Sequence, residues 1–220
     1  MTRGCQDGIV AYHHRDLPAA LLAAVESAVG DCGVSGVSLR EVARRAGVSH
    51  SAPAHHFGSK AGLLTAFATA GYHLLAESVI KEVAASDAAD GAAELAAIGR
   101  GYVRFAVGHS AHFEVMFRLD ALNPGNAEFV AASEAAYGLL TATVDRCRAA
   151  GRLHGRCPEV VAVSAWSLVH GLSALWISGA CPSASPSRIP GTWPQLCQTC
   201  SPRLSCRRPG PSAAIRNWRS

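Results

Sequence analysis

Apolar residues recur at three- and four-residue spacing along most of this chain, which predicts helix after helix and no strands. The sharpest boundaries fall between residues 38 and 64. Ser38 followed by Glu41 forms a capping box, so a helix starts there, with Leu39, Val42, Ala43 and Ala46 on one face. Gly47 stops it, because glycine takes the left-handed conformation at little cost. Val48 anchors the turn. Ser49 is the expected N-cap of a short helix from about His50 to His56, with Phe57 turned inward. Gly58 breaks the chain and Ser59 caps a longer helix beginning near Lys60. Pro53 is tolerated because it lies near a first turn, where few backbone N–H groups have helical partners.

Beyond Lys60 the pattern predicts helices over 60–86, 91–108, 110–118, 127–150 and 158–178, punctuated by Gly108, Pro124-Gly125, Gly151 and Pro158. The expected fold is all-α, with a three-helix, helix-turn-helix domain over 12–60 and a helical bundle over 61–180. A basic tail rich in proline, cysteine and arginine fills 181–220. Two short helices around a glycine turn form the layout that presents one helix end to the major groove of DNA. Residues 160–180 are long and apolar enough for a membrane span. Ser164, Ser167, His170 and Ser173 interrupt them and no basic flank orients them, so the expectation is a buried helix and no membrane partner.

Val48-Ser-x-x-x-x-x-His55-x-Phe57-x-Ser59-Lys60, preceded by Arg-Glu-Val-Ala-x-x-Ala-Gly, resembles the DNA-binding domain of the TetR-type family of bacterial transcriptional regulators over residues 17–75. Further on, Trp166-Ser-Leu-Val-His170-Gly171 resembles the Trp-His-Gly signature of one regulatory subclass of that family, extending the likeness from 12 to about 180. The resemblance implies roles for residues at matching positions. Ser38 and Arg40 would meet phosphate, while Ser49, His50, Ser51 and Ala52 would start the groove-facing helix. His55 and Lys60 would grip the DNA backbone, Lys60 beside a helix N-terminus that favours anions. Ala54 departs from the family's usual tyrosine, a loss that weakens the grip. The implied partners are double-stranded operator DNA, a small effector and a second copy of the chain. Such dimers hold two reading heads one DNA turn apart on a palindrome. No catalytic residue and no cofactor are implied.

Charge qualifies this picture. The net +4 divides into +1 over residues 1–60, −3 over 61–180 and +6 over 181–220, so the tail and not the reading head makes the chain basic. Few phosphates per head would be neutralised, and the salt dependence of DNA binding should be modest. The chain shows no basic leader followed by an apolar signal segment, so the expectation is a cytoplasmic protein working at the nucleoid. Its eight cysteines then read as reduced thiols.

Candidates to line an effector pocket are Tyr102, Phe105, His109, Phe113 and Met116, together with Phe117, Tyr137, Trp166 and His170. Each is also an ordinary core residue type. Trp166 and His170 rise above the others because i, i+4 spacing puts them on one face. A metal-responsive sensor or a small helical enzyme built on the pocket histidines is the alternative. No nucleophile–base pair or paired carboxylates support an enzyme, and His109-x-x-His112 lacks an evident third ligand, so no metal is expected. Cys197-x-x-Cys200 lacks the second pair that a structural zinc site needs.

The tail holds seven of the eleven prolines and six arginines with no acid. Its composition is that of a disordered basic segment. It also reads as a frame-shifted remnant of a final helix. Pairing each third codon base with the next two, from Trp193 on, allows Ala-Ala-Ala-Leu-Pro-Asp-Leu-Leu-Ala-Ala-Ala-Val-Leu, a run with helical apolar spacing. A dimer lacking that helix is expected to be weak.

Overall fold

The computed structural model describes residues 17–86 and 91–180, and every regular element among them is helical. In chain order these are α1 (Leu17–Gly36), α2 (Leu39–Ala46), α3 (Ala52–Phe57), α4 (Lys60–Ala84), α5 (Gly91–Gly108), α6 (Ser110–Met116), α7 (Ala127–Ala149) and α8 (Pro158–Ile177). A 3-10 turn, Leu119–Ala121, follows α6, and α1 is interrupted at Gly33. The all-α expectation holds, and from α3 onward the bounds lie within two residues of those predicted. Residues 12–16 of the first expected domain, and the whole tail with Cys197 and Cys200, lie outside the described residues. Cys32, Cys147 and Cys157 are thiols.

The chain forms two compact units that do not follow sequence order. One takes the described residues up to Ser78 together with 104–137; the other takes 79–103 and the described residues from 138 on. In the first, α1 packs on α2 and α6, and α2 on α3. Leu21, Val25, Ala28 and Val29 give α1 a buried stripe at helical spacing, met in the same core by Val42 of α2, Phe67 of α4 and Val115 of α6. Thr65 is a buried polar group with both roles filled: its Oγ1 donates to the Ala61 carbonyl and accepts from the Asn123 amide at 2.8 Å.

The second unit draws its core from Ala97, Ile98 and Val103 of α5, Leu140, Val144 and Cys147 of α7, and Ala162 and Val169 of α8. Glu94 of α5 accepts from Arg146 and from the buried Thr143 hydroxyl of α7, which pins the two helices in register. By contrast α8 leaves much of its apolar surface uncovered: Val163 is 49% and Leu175 53% exposed. With a mean hydropathy of 1.7 it is long and apolar enough to cross a bilayer, as are α1 and α4.

The corner between α3 and α4 leaves no room for a side chain at Gly62. A Cβ at Gly62 would lie 2.0 Å from the Phe57 carbonyl oxygen, a backbone atom that cannot move aside alone. Replacing a mid-helix glycine by alanine ordinarily stabilises by about 0.5–1 kcal/mol. Here the clash wins, and Gly62→Ala is expected to destabilise the protein by about 1–3 kcal/mol, the usual penalty for overpacking. Urea unfolding of the two proteins checks the sign; a more stable variant would show that the corner is looser than this.

Candidate functional site

The helix-turn-helix is built as its sequence suggests, with differences at the caps of both its helices. Ser38 is extended, and its Oγ accepts the Glu41 amide at 3.2 Å. The Glu41 carboxylate does not complete a capping box by turning back. It is taken by Arg44, through Nε at 2.9 Å and Nη2 at 2.7 Å, and by Arg45 Nε at 2.7 Å. Those hydrogen bonds, from Arg44 and then Arg45, bring its pKa from 4.5 down to about 2. Arg45 also reaches across to α1, where Nη1 donates to Ser27 Oγ at 2.7 Å and to Asp31 Oδ2 at 2.6 Å. At the other end Gly47 takes φ 67°, and Val48 N–H bonds the Ala43 carbonyl at 3.0 Å.

The recognition helix α3 starts at Ala52, two residues later than expected, and Ser49 is not its N-cap. Pro53 explains the shift. In a helix beginning at His50 its missing N–H would fall where the first i→i−4 bond to the Ser49 carbonyl is required. Starting at Ala52 puts the proline in the first turn, where no such bond is lost. Ser49 instead closes the entry turn, its carbonyl accepting the Ala52 amide at 3.0 Å and its hydroxyl lying 3.3 Å from that of Ser51.

Exposure sorts the residues assigned to DNA. Ser38, Arg40, Ser49, His50, Ser51, Ala54 and His55 are exposed, and Ala52 and Lys60 half-buried. Lys60 Nζ donates to the Ser35 carbonyl at 3.1 Å, tying α4 to the end of α1 while keeping two donors in hand. Arg40 shares none of the ion pairs that occupy Arg44 and Arg45. Of the four cations among the described residues of the head, two are spent on structure, a distinction that charge counting cannot make.

The nine expected pocket residues are divided between the two units. Tyr102, Trp166 and His170 lie in the second unit, where Tyr102 Oη and His170 Nδ1 share a hydrogen bond of 2.9 Å and the Trp166 ring meets His170 edge-on. Burial lowers the His170 pKa. Phe105, His109, Phe113, Met116, Phe117 and Tyr137 lie in the first unit. There Phe113 packs edge-on against Phe117, Met116 is fully buried, and Tyr137 is partly exposed. The second unit has a half-open recess of about 300 Å³ that none of the nine lines. Its walls are Val79, Ile80, Val83, Ile98, Leu139 and Ala142, with Glu94, Thr143 and Arg146 at its polar end. Those positions are spread over three helices, α4, α5 and α7, most of them as plain aliphatics.

Among the described residues the first unit holds one orphan. His112 is 6% exposed, its ring stacks on Phe67 at 3.8 Å, and its Nδ1 has no hydrogen-bond partner. Desolvation, helped by neighbouring His109, lowers its pKa to about 4, so the ring is neutral near pH 7. Glu26 of α1 stands 4.0 Å from that nitrogen.

With this geometry in hand, likenesses to known proteins fall into place. The family described as "Bacterial regulatory proteins, tetR family" matches residues 21–67, and "Tetracyclin repressor-like, C-terminal domain" matches 95–190. A protein of unknown function from Rhodococcus sp. RHA1 is 31% identical, covering 86% of this chain and 95% of its own, with a TM-score of 0.72. AibR, solved with isovaleryl coenzyme A and operator DNA, is 23% identical over 72% of this chain and 86% of its own, with a TM-score of 0.60. FadR from Bacillus subtilis, solved with stearoyl-CoA, is 12% identical over 75% and 89%, with a TM-score of 0.62. No curated protein matches at comparable stringency.

The Glu41 ion pairs carry an acid signature. Its folded pKa of about 2 lies below the ordinary 4.5, so its contribution is complete above pH 4.5 and is lost as pH falls toward 2. Thermal melts followed by circular dichroism should therefore show the parent losing stability more steeply than Glu41→Gln across that window. Parallel curves would mean that the carboxylate is not held by these arginines in solution.

Proposed function

Because the chain belongs to the TetR family of bacterial transcriptional regulators, we propose that it works as a dimeric repressor released from a palindromic operator by a small, mostly apolar effector. The observation that carries this reading is the α2–α3 corner. Arg45 fixes α2 on α1, and the start of α3, with His50 and Ser51, is left exposed with its side chains uncommitted to the core. A helix end so presented suits base edges, and Arg40 and Lys60 flanking it suit phosphate. The setting is the cytoplasm, at the nucleoid.

The recess in the second unit is the effector site under this reading. Aliphatic walls with one charged end match a ligand with an apolar body and a polar head, and its volume lies at the lower end for small-molecule sites. AibR and FadR, which share the fold, were solved with acyl-coenzyme A molecules, which makes acyl thioesters the first class to try. Occupation would shift α4, whose far end begins the chain out of the reading head. The two recognition helices would spread, a population shift between two head spacings.

Dimerisation is assigned to α8. Val160, Val163, Ser167, Gly171 and Ala174 continue one stripe at three- and four-residue spacing, with exposed Leu168 and Leu175 on its flank. A second copy would cover this apolar face, and Gly171 would let the helices approach closely. A Cβ added at Gly171 meets nothing within 4 Å in the protomer. Gly171→Leu should thus not lower the thermal midpoint of the monomer, since helix propensity favours the change, while weakening the dimer at least about tenfold in sedimentation. An unaltered dimer would move the interface elsewhere. The C-terminal family match ends at residue 190, just before the stretch that recovers a helical pattern in a second reading frame, which supports the frame-shift reading of the tail. Independent sequencing of the coding DNA checks it.

Nuclease protection of the DNA upstream of the chain's own gene tests the reading as a whole, with isovaleryl to stearoyl coenzyme A esters added in turn. Two protected half-sites, released by one of the esters, are the expected result; no protection at low salt would sink the repressor assignment for that site. Arg40→Ala should weaken binding uniformly across operator sequences. It should also make the slope of log K against log salt shallower by about 2 per dimer, one phosphate for each head. Arg44→Ala, whose guanidinium is already held by Glu41, should change the slope less.

A further inference from the structure

We propose that Glu26, His109 and His112 form a binding site for a first-row divalent cation of the zinc class, tying α6 to the first helix of the reading head. The three side chains come from two packed elements of one compact unit: Glu26 from α1, His112 from α6, and His109 at the residue that caps α6. One ligand atom from each lies within 4.8 Å of the other two, and His112 Nδ1 stands 4.0 Å from Glu26 Oε1. Ligand atoms around a tetrahedral zinc ion are about 3.3 Å apart, given metal–ligand bonds near 2.0–2.1 Å. Small side-chain rotations close that difference, and Glu26, half exposed, is free to make them.

The second observation is the orphaned nitrogen. His112 is more than nine-tenths buried, and Nδ1 faces Glu26 without a hydrogen bond. Leaving a buried imidazole nitrogen unmatched is costly, so such a group calls for a partner. A cation there would satisfy it. The ring is already oriented to meet one, since Phe67 stacks on it at 3.8 Å and α4 carries Gly71 beside it, where a Cβ would sit 3.1 Å from the Cβ of His112. His109 is likewise stacked, on Phe105 at 5.7 Å. Two imidazoles and a carboxylate select a borderline metal such as zinc over magnesium or calcium, which prefer all-oxygen shells. Three protein ligands leave a fourth position for water, reached from the exposed Glu26 side.

The consequence follows from where Glu26 sits. Its neighbour Ser27, and Asp31 one turn on, are the α1 groups that Arg45 holds. A cation on Glu26 would fix α1 from the opposite partner and so stiffen the seat of α2. The site stands on these residues alone and does not depend on the effector reading above.

Cobalt titration of the chelator-treated full-length chain tests it, because cobalt reports its ligands by colour. The expected result is one Co²⁺ per chain at micromolar concentration, with visible bands but no intense near-ultraviolet thiolate band, displaced by Zn²⁺. Glu26→Gln and His112→Asn should each weaken binding at least about tenfold, with helicity by circular dichroism unchanged. If His112→Asn fails to fold, Glu26→Gln decides alone, since its carboxylate is half exposed. Binding that is absent in the parent, equally tight in Glu26→Gln, or marked by a thiolate band would overturn the assignment. The last result would place the metal on cysteines instead.

Discussion

The reading head depends on one guanidinium. α3 is six residues long, far below the length at which a helix holds itself together in water, so its position is set wholly by what it is attached to. That attachment is α2, itself only eight residues long, and Arg45 is the side chain that fixes α2 to α1 by bonds to Ser27 and Asp31. Apolar burial of Val42 and Ala43 holds the two helices together but leaves them free to slide. Directional bonds from a planar donor set the register. Glu41 completes the arrangement by holding Arg45 from the same helix, so its low pKa reflects a structural job more than a chemical one.

This division of labour changes what the charge of the head means. Counted along the sequence, four cations stand between residues 40 and 60. In three dimensions Arg44 and Arg45 face carboxylates, Lys60 is partly engaged by the Ser35 carbonyl, and Arg40 alone points outward without an ion pair among the described residues. Affinity for a polyanion follows the uncommitted charges, because only those release counterions on binding. A head with so few must draw specificity from shape and groove contacts, or gain phosphate contacts by doubling. The uncovered stripe on α8 is consistent with doubling.

Local signals were legible in the sequence, and long-range ones were not. The bounds of α4, α5, α7 and α8 follow from glycine and proline punctuation, because helix ends are decided within a few residues. The start of α3 is harder to read because two local rules compete there. Ser49 had the right chemistry for a cap, but Pro53 forbade a helix that early, and the constraint with no rotational freedom prevailed. The recess escapes a reading of the sequence for a different reason. Aromatic residues such as Phe105, Phe113 and Tyr102 attract attention by size, yet they fill the cores of two separate units, while the recess is walled by valine, isoleucine and leucine. Periodicity says which residues face inward; it does not say which inward faces fail to meet.

Glu26 shows the same limit more sharply. On α1 it sits among solvent-facing positions and gives no sign of any role beyond a charged surface. Its partners are more than eighty residues away, and only the packing of α1 on α6 brings its carboxylate to the buried nitrogen of His112. Desolvation keeps that imidazole neutral, which strips it of any ionic attraction to the carboxylate and leaves the pair apart by more than a hydrogen bond. A neutral nitrogen and a carboxylate held near each other without bonding make a poor contact for two protein groups. They make a good one for a third, positively charged body between them. The same packing that places Glu26 also places Ser27 and Asp31 on the Arg45 clamp, so whatever occupies the gap acts on the helix that seats the reading head.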